Sequence, residues 1–308
     1  VSANDTELAS GGRPAREAVA ETEPVVHNRV VPRRHPGRWL AVILILIVAA
    51  QAVAGISANP NFHWATYREY LFSPFVLRGV GWTLLLTVAA MAIAIPLALA
   101  LVIMRDSGNP IFAGVAWLWV WFFRGTPIYT QLAFWGLFAV LFPVISISVP
   151  FGPELASIDS RWIVTPAVAA IVGLSFNESA YLAEIFRAGF RAIDRGQAEA
   201  AQAMGMSKGK IWTRILIPQA MRTIIPPTGN DTIGMLKMTS LVMAVPFTLD
   251  LMFATNAIAN RTYLPIPLLL VAASWYLAIT SVLMIGQHYL ERHFGRGHDI
   301  VVTRGGLF

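Results

Sequence analysis

The amino-acid sequence predicts an all-α membrane protein: a bundle of six spanning helices with one long polar connection. Three observations carry this. Apolar residues make up 56% of the 308 and charged residues only 13%, with a mean hydropathy of +0.60. A soluble domain carries about 25% charged residues and could not bury so much apolar surface at this length. The apolar residues also fall in uninterrupted runs of span length, without the period-two alternation of a membrane barrel. Finally, Lys and Arg gather in alternate connections, as they do when they set orientation in a bilayer. The net charge of +6 and pI of about 10.0 belong to that pattern and not to nucleic-acid binding. With no cysteine, a disulfide framework, a thiolate zinc site and a cysteine nucleophile are excluded.

The elements follow in order. Residues 1–38 are polar, contain Gly11-Gly12, and end in Arg29, Arg33, Arg34 and Arg38. They read as a disordered cytoplasmic tail. Residues 39–57 form an extra N-terminal span, read as retained and not as a cleaved signal, whose apolar core would lie near its start. The uncharged run between Arg78 and Arg105 is the second span. Residues 110–153 are too long for one span and are broken at Arg124-Gly125-Thr126-Pro127. They read as an inner-face helix over 110–123 and one span over about 127–148, with two spans as the alternative. The remaining spans run from Trp162 to about Arg187, from about Asn230 to Ala257, and from Tyr263 to Leu290.

Charge decides the count. Six spans place both termini, the 189–229 connection and the tail 291–308 inside, with seventeen Lys and Arg against three outside. A seventh span would export the seven basic residues of 187–222. The expected location is the inner membrane of the cell, multi-pass, with cytoplasmic termini.

The connection over 189–229 is the most informative segment. Asp194-Arg195-Gly196-Gln197 has the form of a capping box. Residues 197–204 are good helix formers, and Gly205 supplies a left-handed stop. Ser207 caps a second helix expected to run to about Ile217, where Pro218 ends or kinks it. The result is a helix–turn–helix with a small-residue face at Ala198 and Ala201. A plain surface hairpin would look much the same.

The spacing points further. Glu199-Ala200-Ala201, three residues, Gly205, nine residues, Ile215, one residue, then Ile217-Pro218 resembles the signature "EAA" loop of ABC-importer permeases. Ile217 stands where that family usually has Leu. Phe123-Arg124-Gly125-Thr126-Pro127 with Gln131-Leu132 is similar to permeases for histidine, glutamine, glutamate and arginine. So are the segments Asn177 to Gly189 and Pro218 to Leu241. The likeness covers about 77–290, in one order. It implies a type I ABC-importer permease fold and a coupling helix, formed around Glu199, Ala200, Ala201, Gly205, Ile215 and Pro218, that docks on an ABC ATPase dimer. It also implies an extracytoplasmic amino-acid-binding protein and a second permease copy or homologue as partners. ATP and magnesium would be held by the ATPase, with no cofactor on this chain and no nucleic acid.

Polar residues inside spans are candidates for the path. Asn177, Tyr181 and Glu184, at i, i+4 and i+7, share one helical face, and Glu178 lies about 100° around from Asn177. Such groups usually face a polar cavity or a partner. For Glu184 the simpler role is a pair with Arg187 or Arg191 at the inner rim. Asp250 either contacts substrate or gate, or caps a kink after Pro246. Arg124, Gly125, Thr126 and Pro127 are expected to be structural, Lys237 to snorkel to the inner interface, and Trp117, Trp119 and Trp121 to form an interfacial belt.

Other chemistry is missing. Gly205 to Lys210 has the wrong glycine spacing for a phosphate loop, and Ile211 follows the lysine. No histidine pair has zinc-protease spacing and no Gly-x-Ser-x-Gly elbow occurs. The sequence therefore reads as a permease for polar amino acids or related compounds, not an enzyme. The rival is an ion-gradient-driven secondary transporter, which predicts an internal repeat that is not visible.

Overall fold

The computed structural model describes residues 36–149 and 153–294. The tail expected before residue 36 and most of the tail expected after 290 lie outside the described residues. Residues up to Ser57 and residues from Ala58 onward form separate compact units.

In the first unit, helix α1 (Pro36–Ala58) is apolar on all sides, with Trp39 73% and Ile45 65% exposed. It is long enough to cross a bilayer. The second unit is a helical bundle. It opens with a 3-10 turn (Pro60–Phe62) and α2 (Trp64–Leu71), then α3 (Pro74–Arg105), α4 (Pro110–Gly125), α5 (Ile128–Gly136) and α6 (Phe138–Leu141). A hairpin of β1 (Val144–Ser148) and β2 (Glu154–Asp159) leads through α7 (Ser160–Ile163) into α8 (Pro166–Arg191). Next come α9 (Arg195–Ala203), α10 (Lys208–Ile211), a π turn (Trp212–Leu216), α11 (Ile217–Met238) and a 3-10 segment (Thr239–Ala244). The described residues end with α12 (Leu251–Thr262) and α13 (Pro265–Phe294). At about 1.5 Å per residue, α8 separates the hairpin end of the bundle from the loop end, which carries α9 and α10, by roughly 39 Å. Among the described residues, three helices qualify as spans by length and composition alone: α1, α3 and α13. The pair α4–α5 makes a fourth if its 102° bend is counted as one broken span.

The core forms where α3 and α8 pack. Ala90, Ala94 and Ala98 recur at i, i+4 and i+8 on α3 and are fully buried. On α8, Ala169, Ala170 and Leu174 are buried in the same core cluster, and Gly173 faces Leu132 and Trp135 of α5. Small residues let helix backbones approach in lipid, where dispersion packing, not water exclusion, holds helices together. A second cluster joins Val76, Leu251, Ile258, Leu268 and Val271. There α2 is tied to α13 by the Tyr67–Ser274 hydroxyl contact at 2.9 Å and by Trp275 Nε1 donating to the Leu71 carbonyl at 2.7 Å.

Several expectations need correction. The span expected over 127–148 is not one helix: α5 and α6 are short, and β1 begins at Val144. β1 pairs antiparallel with β2, Ile145 opposite Ile158 and Ser146 opposite Ser157. At the base of the hairpin, Asp159 caps α7 through Arg161 N at 2.9 Å. The Arg161 guanidinium, donating to both carboxylate oxygens, lowers the Asp159 carboxyl to about 2. The run expected as the fifth span, about 230–257, is not one helix: α11 starts at Ile217, runs through Pro226 and Pro227 and stops at Met238, and α12 begins at Leu251 after the 3-10 segment. Lys237 therefore lies twenty residues beyond Ile217, roughly 30 Å from the loop end, and does not snorkel there. Trp117 and Trp121 stack and are exposed, but Trp119, about 200° around α4 from each, turns inward and donates to Ser179 Oγ at 3.0 Å.

Gly79 fixes the approach of α3 to the start of α12: a Cβ there would lie 2.8 Å from Leu251 Cα. Backbone cannot yield as a flexible side chain can, so Gly79→Ala should cost about 1–3 kcal/mol by overpacking. Gly81, one turn face away, has nothing within 4 Å of its Cβ position. In detergent, thermal unfolding should shift down for Gly79→Ala and stay put for Gly81→Ala. Equal shifts would contradict this packing.

Candidate functional site

The break between α4 and α5 is the first feature of the site. Pro127 disfavours helical geometry for Thr126, which is extended (φ −116°, ψ 145°). The break leaves carbonyls of the last turn of α4 without helical donors, a costly state in lipid unless side chains supply them. Gln131 does so: its Nε2 donates to the Phe123 carbonyl and the Thr126 carbonyl, both at 3.0 Å, and reaches Thr126 Oγ1 at 2.7 Å. Asn177 of α8 completes the cluster, Nδ2 donating to the Phe123 carbonyl at 3.0 Å and to Gln131 Oε1 at 3.1 Å. Asn177 is 3% exposed, so within this chain it fastens α8 to the break and lines no open surface. Gln131 appears in the sequence only as part of the Arg-Gly-Thr-Pro segment; its partner lies 46 residues away.

Beside the break lies a cleft of about 460 Å3. Tyr181 and Glu184 line it from α8, Arg105 from α3, and Trp121, Arg124 and Gly125 from α4. The Arg124 guanidinium sits over the Tyr181 ring, 5.3 Å from its centroid. Glu184 does not pair with Arg187 or Arg191. It accepts from Arg105 Nη1 at 2.6 Å, a partner 79 residues away that local sequence cannot reveal. Arg187 instead faces Asp106, at 4.0 Å. The expected stripe is thus divided, with Asn177 sealed inside and Tyr181 and Glu184 opening on the cleft.

Glu178 is 2% exposed, and its Oε1 is buried with no hydrogen-bond partner. The carboxylate of Asp231, half-buried on α11, is near enough to act on it electrostatically. In the sequence Asp231 stands out only as a charged residue at the start of the run expected as the fifth span. Asp250 is fully buried at the N-cap of α12. Its Oδ2 accepts from Met252 N at 2.9 Å and Phe253 N at 3.1 Å, while Oδ1 has no partner.

At the loop end, Asp194 caps α9 by accepting from Gly196 N at 2.8 Å; Gln197 returns no side-chain bond, so the capping box is half formed. Gly205 has φ +78°, the left-handed stop expected of it. Its N–H bonds the Gln202 carbonyl at 2.9 Å, and Met206 N bonds the Ala201 carbonyl at 3.1 Å, which together make a Schellman turn. Ala201 is buried, while Glu199, Ala200, Gly205 and Pro218 are exposed and Ile215 is half-buried. Ser207 holds the N-cap position of α10 without a capping bond. Pro218 does not end the helix. A proline clashes with the carbonyl four residues back, and the π turn over Trp212–Leu216 absorbs the misfit. Residues 208–238 therefore form one continuous helical rod.

No group of three or more metal-ligating side chains occurs among the described residues. Residues 84–296 match the family described as "Binding-protein-dependent transport system inner membrane component". The chain is 45% identical over 287 residues to the arginine transport system permease protein ArgU of Corynebacterium glutamicum, covering 93% of this chain and 88% of that one. It is 31% identical over 208 residues to the histidine/lysine/arginine/ornithine transport system permease protein HisM of Salmonella typhimurium, covering 67% and 84%. Among solved structures it resembles an amino acid ABC transporter crystallised with histidines, with a TM-score of 0.60 and 30% identity over 72% of this chain and 95% of that one. The MetNI methionine ABC transporter shares the fold at a TM-score of 0.51 and 16% identity, over 74% of this chain and 97% of that one.

The polar cluster at the break yields a direct expectation. Asn177→Ala removes two buried hydrogen bonds and strands the Gln131 amide oxygen, which costs about 1–3 kcal/mol. Thermal stability of the detergent-solubilised protein should fall, whereas Arg105→Gln, at a partly exposed pair, should change it far less. Unchanged stability for Asn177→Ala would remove the cluster from the account.

Proposed function

Because the chain belongs to the family of binding-protein-dependent transport system inner membrane components, we propose that it carries basic amino acids through the membrane as the permease subunit of an ABC importer. The observation that carries the substrate class is the pair of carboxylates, Glu178 on α8 and Asp231 on α11, within the membrane-spanning bundle. Two acids with one unpartnered oxygen between them form a poor structural pair. Glu178 is closed off in this conformation, at 2% exposed; a guanidinium or ammonium admitted when α8 and α11 part would satisfy both acids. The names of the relatives ArgU and HisM agree with a cationic cargo. The cleft beside Arg124, Tyr181 and Glu184 continues the path toward the loop end. There Arg124 can receive the substrate carboxylate while Arg105–Glu184 acts as a latch. Asp250 contributes by anchoring α12.

Coupling falls to the exposed surface of α9 and its turn: Glu199, Ala200, Gly205 and Met204, the last 83% exposed. A separate ATPase dimer would dock there and hydrolyse ATP with its own magnesium, so this chain performs no covalent chemistry. A second permease copy or a homologous chain would complete the path, and an extracytoplasmic binding protein would deliver the substrate. On this reading the loop end faces the cytoplasm, as the basic residues of 187–222 require.

In membrane vesicles, arginine uptake should need ATP and survive an ionophore that collapses ion gradients. Glu178→Gln should lower the initial rate for arginine and lysine by roughly tenfold or more while sparing membrane abundance, since one charge contact in a low-dielectric site is worth at least about 1.4 kcal/mol. Glu178→Leu should lower it further. Uptake by both variants at the parent rate would make Glu178 structural, and ionophore-sensitive uptake without ATP would favour a secondary transporter.

A further inference from the structure

Helix α11 carries a weakened turn in its middle. Pro226 and Pro227 have no N–H, so the carbonyls of Arg222 and Thr223 lose their helical donors. Two threonine hydroxyls bond back onto the same stretch, Thr228 Oγ1 to the Ile224 carbonyl at 2.8 Å and Thr232 Oγ1 to the Thr228 carbonyl at 2.9 Å. Such back-bonding bends helices. A turn that has lost backbone bonds takes its angle from its neighbours.

The neighbour at this turn is α13. Gln287, 8% exposed, lays its carboxamide across it. Nε2 donates to the Pro226 carbonyl at 2.7 Å and to Glu291 Oε1 at 3.0 Å. Both amide protons are thereby committed, and a flipped amide would set its oxygen against two acceptors. Glu291, half-buried and four residues further along α13, makes the arrangement charge-assisted. The amide oxygen lies where a Cβ of Gly229 would stand, so only the bare backbone of Gly229 lets the amide in. Asp231 is on the opposite side of α11. It lies two residues beyond Gly229, about 200° around the helix, and acts electrostatically on Glu178 of α8.

We propose that Gln287 is a positioning residue for the cation path: by clamping the proline-weakened turn of α11 to α13, it fixes where Asp231 stands relative to Glu178. It touches no substrate and acts only through α11. This role rests on the reading of Glu178 and Asp231 as the place that receives a cationic substrate. The clamp itself is a matter of packing and is measurable without transport.

The chain has no cysteine, so a single thiol at Asp231→Cys reports on this turn without background. The full chain, purified in detergent with its co-expressed ATPase, is exposed to a cationic methanethiosulfonate and the modification rate is measured. Adding Gln287→Met, which keeps the length but donates nothing, should raise the rate roughly tenfold, the opening that loss of one buried hydrogen bond permits. Gly229→Ala, which displaces the amide from the other side, should do the same. Gly286→Ala, with open space at its Cβ position, should leave the rate unchanged. An unmoved rate in either folded variant, or an equal rise in Gly286→Ala, would overturn the clamp and leave the permease reading intact. Arginine uptake in vesicles then tests its use. Asp231→Asn and Gln287→Met should each lower the initial rate roughly tenfold, and the double variant little further, because one residue acts through the other. Multiplying losses, about a hundredfold in the double variant, would reduce Gln287 to a structural residue. Uptake by Asp231→Asn at the parent rate would remove the path reading and this role with it, while the clamp stands or falls on its thiol rates.

Discussion

Inside a bilayer no water stands ready to satisfy a backbone carbonyl, and the bundle depends on how one broken helix meets that constraint. The chain turns by 102° between α4 and α5, where Thr126 and Pro127 leave helical geometry. The two amide protons of Gln131, shared among three oxygens, and two donations from Asn177 satisfy the exposed carbonyls and each other. Once Asn177 is committed there, α8 has a fixed rotation. Glu178 is then turned toward α11, and Tyr181 and Glu184 toward the cleft. The packing of α3 on α8 through small residues and the position of Arg124 over Tyr181 follow from the same register.

At the other end of α8 the design is mechanical. The Schellman turn at Gly205 sets the angle between α9 and the helix that follows. From Lys208 the chain runs as one rod through the π turn and on to Met238, roughly 46 Å at about 1.5 Å per residue. That rod packs on α8 and α13, is pinned by Gln287 donating to the Pro226 carbonyl at 2.7 Å, and carries Asp231. The loop and Asp231 therefore lie on one continuous helical element, interrupted in its hydrogen bonding at the π turn and at Pro226 and Pro227.

Much of this was legible in the sequence because its signals are local. Asp194, Gly205 and the helix formers between them specify α9 by cap and stop, and the apolar runs specify α3 and α13. The misreadings have physical causes too. Ile145–Ser148 alternates apolar and polar residues over only four positions, too few to separate from the apolar run before it. Pro218, Pro226, Pro227 and Gly229 look like breakers, but prolines persist in helices that neighbours support. A Cβ at Gly229 would lie 1.7 Å from Gln287 Oε1 and would push that side chain off the Pro226 carbonyl, a contact 58 residues distant in sequence. The partners of Glu184 and Gln131 are likewise long-range and have no local signature.

On the proposed coupling role of the loop, conformational energy enters through the turn at Gly205. With φ +78° and open space around its Cβ position, the residue tests backbone geometry alone. A β-branched side chain is strongly disfavoured there, at about 1–2 kcal/mol or more, whereas asparagine tolerates the left-handed region. The decisive measurement compares Gly205→Val with Gly205→Asn for co-purification of the ATPase and for substrate-stimulated ATP hydrolysis, at equal membrane abundance. The account predicts that Val weakens both and Asn largely restores them. Parent-level docking and hydrolysis in Gly205→Val would contradict it.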